Sequence, residues 1–255
     1  RLGWTVLLLL PVVLLRCRAE LRRVTARDLV LCGASGVLLA LHFLTWFESL
    51  KRTSVASSTV LVSTEVIFTA LGFALFLHGK IPRLGVWAIL LAFGGSALLA
   101  LSGGGGAGEL SGNLLALAAA SAAAVYTLIG RIQRGHLSTT VYTFLTYLAC
   151  FLTLLLGTAA AGTPLTGYGG REWLIGLALA VLCTLLGHSL FSWCLKYLSP
   201  SYVSAAKLCE PVFSSLAAIP LFGEVPGPLQ LAGGAAVLGA VLLYTWAERE
   251  KTPAG

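Results

Sequence analysis

Charged residues are scarce in this 255-residue chain, 11% of the total, where soluble domains carry roughly 25%. With 57% hydrophobic residues and a mean hydropathy of +0.90, it cannot cover its surface with polar groups, so a water-dissolved globule is excluded. The solvent for most of the chain must be hydrocarbon, where only helices or closed barrels satisfy the backbone. Apolar runs such as 54 to 77 and 229 to 247 show no strand-like alternation. They are about 20 residues long, the length of a bilayer-spanning helix, which excludes the barrel. The chain is read as an all-α polytopic membrane protein.

Other absences narrow the chemistry. The six cysteines, Cys17, Cys32, Cys150, Cys183, Cys194 and Cys209, contain no CxxC pair and mostly fall inside apolar runs. They suggest neither a zinc site nor a disulfide framework, and we expect reduced, packing thiols. The glycine quartet Gly103 to Gly106 lacks the GK[ST] of a phosphate loop, and no HExxH or GxSxG motif occurs. No catalytic residues, metal ligands or cofactor are therefore expected, and the chain is not read as an enzyme. There is no methionine and residue 1 is an arginine, so we expect the natural start to lie upstream.

The apolar runs predict nine spans: 2–16, 29–50, 54–77, 84–102, 111–132, 138–161, 172–195, 200–222 and 229–247. Alternating the loops puts Arg16, Arg18, Arg22, Arg23, Arg27, Lys80, Arg83, Arg131, Arg134, Lys196, Arg249 and Lys251 on one side. Only Arg1, Lys51, Arg52 and Arg171 fall on the other, with Lys207 inside a span. This bias predicts that the richer side, with the C-terminus, faces the cytoplasm of a cell (cytoplasmic or inner) membrane. The basic residues are dispersed among loops rather than gathered in one patch, so the net charge of +7 reports topology and not a nucleic-acid partner.

The chain also repeats. At a shift of 145, Leu50-Lys51 falls on Leu195-Lys196, Glu65-Val66-Ile67-Phe68 on Glu210-Pro211-Val212-Phe213, and Gly94 on Gly239. The copies lie an odd number of spans apart, which implies opposite orientation in the membrane, the plan of secondary transporters with a midplane substrate site. The register predicts a ten-helix whole with five helices per repeat, whose first helix is absent from this chain.

His42-Phe43-Leu44-Thr45-Trp46-Phe47-Glu48-Ser49-Leu50-Lys51 with Thr53-Ser54-Val55-Ala56-Ser57-Ser58-Thr59, and Gly187-His188 with Glu210-Pro211-Val212-Phe213 and Phe222-Gly223-Glu224, carry a family likeness. They resemble the EamA-type members of the drug/metabolite transporter superfamily. The resemblance covers nearly the whole chain and implies two inverted five-helix repeats that export or exchange amino acids, other metabolites or drugs. It sets the expected limits at 1–104 for the first repeat, 109–247 for the second and 248–255 for a cytoplasmic tail. Two departures stand out: Gly79-Lys80, where the first repeat often has an acidic residue like Glu224, and Lys207, an unexpected charge in its helix.

The polar residues inside spans are the candidate site. Glu65 and Glu210 lie about 15 Å deep at 1.5 Å per residue, near midplane. An ionisable group there costs roughly 2.5 to 3.5 kcal/mol on insertion scales, so each must face the bundle interior or a wet cavity. Either it exchanges protons or it is a protonated packing group. Lys207, three residues before Glu210, is placed to pair with it, to snorkel toward the headgroups, or to bind a substrate carboxylate. His42 and His188 hold nearly equivalent repeat positions, one turn before Trp46 and Trp193, and suit either proton relay or interhelical hydrogen bonding. Tyr126, Tyr142, Thr146 and Tyr147 are polar enough to line a cavity or to anchor packing. Pro211 would kink its helix beside Glu210. Gly94, Gly95, Gly233, Gly234 and Gly239 permit close helix contact, in packing or at a homodimer face.

The expected function is a secondary transporter that exports or exchanges small metabolites or drug-like solutes by alternating access, with the lipid bilayer and a small-molecule substrate as partners. The alternative is a membrane enzyme or accessory subunit acting on lipid-linked substrates. It would cluster its polar groups at a membrane face, whereas here they gather at midplane.

Overall fold

The computed structural model describes residues 1–77, 82–102, 107–164, 167–200, 203–204, 207, 217, 219–223 and 225–249. Its elements are α1 (Leu2–Arg16), α2 (Arg18–Leu21), α3 (Ala26–Leu50), α4 (Val55–Val62), α5 (Glu65–Phe76), α6 (Arg83–Ser102), α7 (Ala107–Gln133) and α8 (Thr139–Ala160). There follow α9 (Gly170–Leu179), a π-helical segment (Ala180–His188), α10 (Ser189–Cys194) and α11 (Pro228–Arg249). Among the described residues there is no strand. Six stretches are long and apolar enough to cross a membrane: Ala26–Leu50, Ser57–Phe76, Glu109–Gln133, Thr139–Ala160, Gly170–Cys194 and Pro228–Ala247. Leu2–Arg16 and Arg83–Gly95 are shorter apolar helices. The all-α, multi-pass class expected from composition is what the chain adopts. The eighth expected span, 200–222, lies mostly outside the described residues, as does Pro211.

Local chemistry explains where the helices depart from the hydropathy pattern. Helix α3 begins three residues before its expected start, because Thr25 and Asp28 form a reciprocal cap. The Thr25 amide donates to Asp28 Oδ2 (3.0 Å), and the Asp28 amide donates to Thr25 Oγ1 (3.2 Å). Serine caps open α4 and α8, with Ser54 Oγ accepting from Ser57 N and Ser138 Oγ from Val141 N. The expected span 54–77 is two helices rather than one. At Ser63 and Thr64 the backbone tightens to three-residue bonds, Ser63 N to Val60 O and Thr64 N to Leu61 O, both 3.1 Å. Three hydroxyls bond back onto the preceding turn: Thr59 to Val55 O, Ser63 to Thr59 O and Thr64 to Leu61 O. Such bonding competes with the helical ladder and bends it. A second irregularity, the π-helical segment, interrupts 172–195; the Thr184 and Ser189 hydroxyls reach carbonyls five residues back there.

The chain divides into two compact units, each drawing on both halves of the sequence. The first comprises Arg1–Ala40 and Tyr126–Ser199, the second Leu41–Val125 and Pro200–Gly255. In the first, Cys32, Leu137, Val141 and Tyr142 form a buried core. Gly36 lets α3 meet α8: a Cβ there would stand 2.5 Å from Thr146 O. In the second unit, α6 packs on α11, with Val66, Ala70, Ala88, Val241 and Tyr244 buried together. A Cβ on Gly95 would stand 2.9 Å from Gly233 O and Val237 N, so these two glycines serve packing inside the unit.

Candidate functional site

The break at Ser63 and Thr64 places Glu65 at the first position of α5, ninth of the 20 residues of the apolar stretch Ser57–Phe76. A carboxylate suits a helix N-terminus, where unsatisfied amides carry partial positive charge. Its direct partners come from the chain around 204–207. Lys207 Nζ lies 2.9 Å from Glu65 Oε1 and 3.0 Å from Oε2, and Ser204 Oγ donates to Oε1 at 3.0 Å. Thr69, one turn further along α5, has its hydroxyl 3.5 Å from that of Ser204. The Glu65 side chain is 7% exposed and that of Lys207 16%.

Lys207 thus reaches a carboxylate on α5. The sequence spacing suggested Glu210 as its partner; Glu210 itself lies outside the described residues. Snorkelling does not describe Lys207, whose ammonium is turned onto Glu65 and largely enclosed. Ser204 was not anticipated. Ser204 and Lys207 are only three residues apart, but nothing in the sequence pointed either of them at Glu65.

Elsewhere in the second unit, His42 Nδ1 lies 3.0 Å from the carbonyl of Ala119 on α7, and its ring stacks on Trp46 at 5.8 Å between centroids. Just beyond the end of α3, Thr53 Oγ1 donates to Asn113 Oδ1 on α7 at 2.8 Å. Two buried donors there have no hydrogen-bond partner among the described residues, Trp46 Nε1 and Asn113 Nδ2. A buried unsatisfied N–H is uncommon and calls for a reason.

In the first unit, Tyr126 meets His188 edge-on at 6.5 Å, and its hydroxyl lies 3.2 Å from Ser192 Oγ. Tyr142 and Tyr147 are fully buried against Ser35 (2.9 Å) and Ser189 (3.1 Å), which makes them packing groups. The candidates therefore fall into three local pairs: Glu65 with Lys207, His42 with Trp46, and Tyr126 with His188. No group of three or more potential metal ligands occurs among the described residues.

Buried charge paired inside an apolar helical protein, helices interrupted beside that charge, and donors left open are features of a membrane transporter. The model of the EamA-like transporter family matches residues 1–101 and 110–246, and the chain belongs to that family. It is 24% identical over 207 residues to the pseudopaline exporter CntI of Pseudomonas aeruginosa, covering 81% of this chain and 72% of the relative. A probable terminal-alkyne amino-acid exporter of Streptantibioticus cattleyicolor is 28% identical over 87% of this chain and 75% of its own length. The uncharacterized transporter YwfM of Bacillus subtilis is 29% identical over 86% and 74%. A solved crystal structure matches 96% of this chain and 86% of its own with a TM-score of 0.62 at 20% identity, a likeness of fold.

Proposed function

We propose that this chain exports small solutes bearing an amino-acid carboxylate, by alternating access, and that the Glu65–Lys207 pair couples solute to protons. The observation that carries the reading is the pair itself: an ammonium and a carboxylate, both largely enclosed, joined by two hydrogen bonds. A solute carboxylate is the natural competitor of Glu65 for Lys207. When it takes the ammonium, Glu65 loses its counter-charge in a poorly solvated site and accepts a proton; when the solute leaves, the proton leaves and the pair re-forms. Trp46 Nε1 and Asn113 Nδ2 offer further donors to a polar solute. One relative is named as an amino-acid exporter and another as an exporter, which supports both the direction and the substrate class.

The inverted repeat belongs to the same proposal. The 145-residue offset between Glu65 and Glu210 carries Arg83–Ser102 onto 228–247, against Pro228–Arg249 for α11, and carries 26–50 onto 171–195, against Gly170–Cys194. The two repeats, 1–104 and 109–247, would act as the moving halves in a cytoplasmic membrane with the C-terminus inside. A homodimer would use the faces bearing Gly94 and Gly239, where an added Cβ meets nothing within 4 Å.

The test is a thermal-shift screen of purified protein against pairs of an amino acid and its decarboxylated amine. The reading expects the amino acid of at least one pair to raise the midpoint and its amine to leave it unchanged. Equal protection by both members of every active pair would overturn it.

A further inference from the structure

The first unit holds a charged feature of its own. A cavity of about 410 Å³ opens where helices end: α2 contributes Glu20, the turn between α7 and α8 contributes Arg134 to Ser138, and the chain after α10 contributes Lys196 and Tyr197. Arg134 is 3% exposed. Its guanidinium donates from Nε to Ser192 O (3.0 Å) and from Nη1 to Leu137 O, two neutral carbonyls. No described carboxylate lies within ion-pair distance of it. Glu20, in the same cavity, is committed elsewhere, its Oε1 accepting the Ser138 amide at 2.6 Å. Asp28, behind the wall, is held by Thr25, Gln133 and His136. Burial lowers the Arg134 pKa from its ordinary value, an effect that the charge of Glu20 offsets only in part.

A buried cation with no direct ion pair among the described residues is a costly arrangement that a bound oxyanion relieves, and a guanidinium edge suits a phosphate. The surroundings identify the source of that phosphate. Trp193 and Tyr197 stand at the cavity mouth with rings 5.0 Å apart, Lys196 Nζ sits 5.8 Å from the Tyr197 ring, and all three are exposed. Trp, Tyr and Lys at the end of a membrane helix are headgroup-level residues. From Trp193 an exposed stripe of Leu190, Leu186 and Leu182 runs down the same helical face at spacings of three and four, a track for an acyl chain. We propose that this cavity binds the phosphate of an anionic phospholipid, headgroup against Arg134 and Lys196 and chain along the leucine stripe.

Detergent-purified full chain is titrated with phosphatidylglycerol, phosphatidylcholine and soluble glycerophosphate, reading the thermal midpoint and bound lipid by native mass spectrometry. Phosphatidylglycerol should raise the midpoint and survive as a one-lipid adduct, and phosphatidylcholine should do neither. Arg134→Gln should abolish the difference between the lipids, while Arg134→Lys keeps part of it. Lys196→Gln, on the exposed rim and safe for folding, should weaken phosphatidylglycerol binding about fivefold, the share of one basic contact near a membrane surface. Equal effects of the two lipids, or an unchanged response in Lys196→Gln, overturn the proposal. A glycerophosphate effect equal to that of the lipid assigns the cavity to a free anion and overturns the lipid assignment.

Discussion

Lys207 changes what Glu65 means. A lone carboxylate at midplane must be neutral or wet, and the sequence offered those two readings for it. Joined to an ammonium it can stay ionised without a net charge in hydrocarbon, at the expense of freezing both side chains. Removing one partner leaves the other stranded, and for buried pairs that loss is about 3 to 5 kcal/mol. We therefore expect Glu65→Gln and Lys207→Gln each to lower the thermal midpoint by several degrees, and the double variant to recover much of the loss. Additive losses in this cycle would show that the pair is not energetically coupled. The place of Glu65 inside a long apolar stretch was legible in the sequence; its partner was not, because Lys207 and Glu65 are 142 positions apart and no local period links them.

Helix interruptions are where hydropathy says least. The runs 54–77 and 172–195 read as single spans because serine and threonine scarcely lower the hydropathy of a window. Their hydroxyls nevertheless bond to the preceding turn, breaking one run before Glu65 and accompanying a π-helical stretch that ends at His188. Small residues were easier to read, though not which of them matter. Gly36→Ala would drive a methyl to within 2.5 Å of Thr146 O, backbone that cannot yield cheaply, and should cost about 1 to 3 kcal/mol. Gly157→Ala, with open space around it, should lose nothing measurable and even gain helix propensity. Thermal midpoints of the two variants give the comparison, and equal midpoints would sink the packing argument at Gly36.

At the scale of the whole molecule, composition alone settled the class, since a chain with so few charges has no other solvent than lipid. The division into units was not legible: hydropathy orders helices along the chain and is silent about which of them pack together. The charge bias makes a claim of its own. With the exposed native cysteines replaced, Arg22→Cys should be shielded from an impermeant thiol reagent in intact cells and Tyr168→Cys labelled, and the reverse pattern would invert the topology. The transport claim is tested most directly by solute exchange in proteoliposomes across a series of pH values, comparing the parent with Glu65→Gln, which keeps the size and hydrogen bonding of the side chain and removes its titration. The account predicts pH-dependent exchange of an amino-acid solute in the parent, and exchange in Glu65→Gln that is slowed but no longer varies with pH. The same pH dependence in both proteins would contradict it.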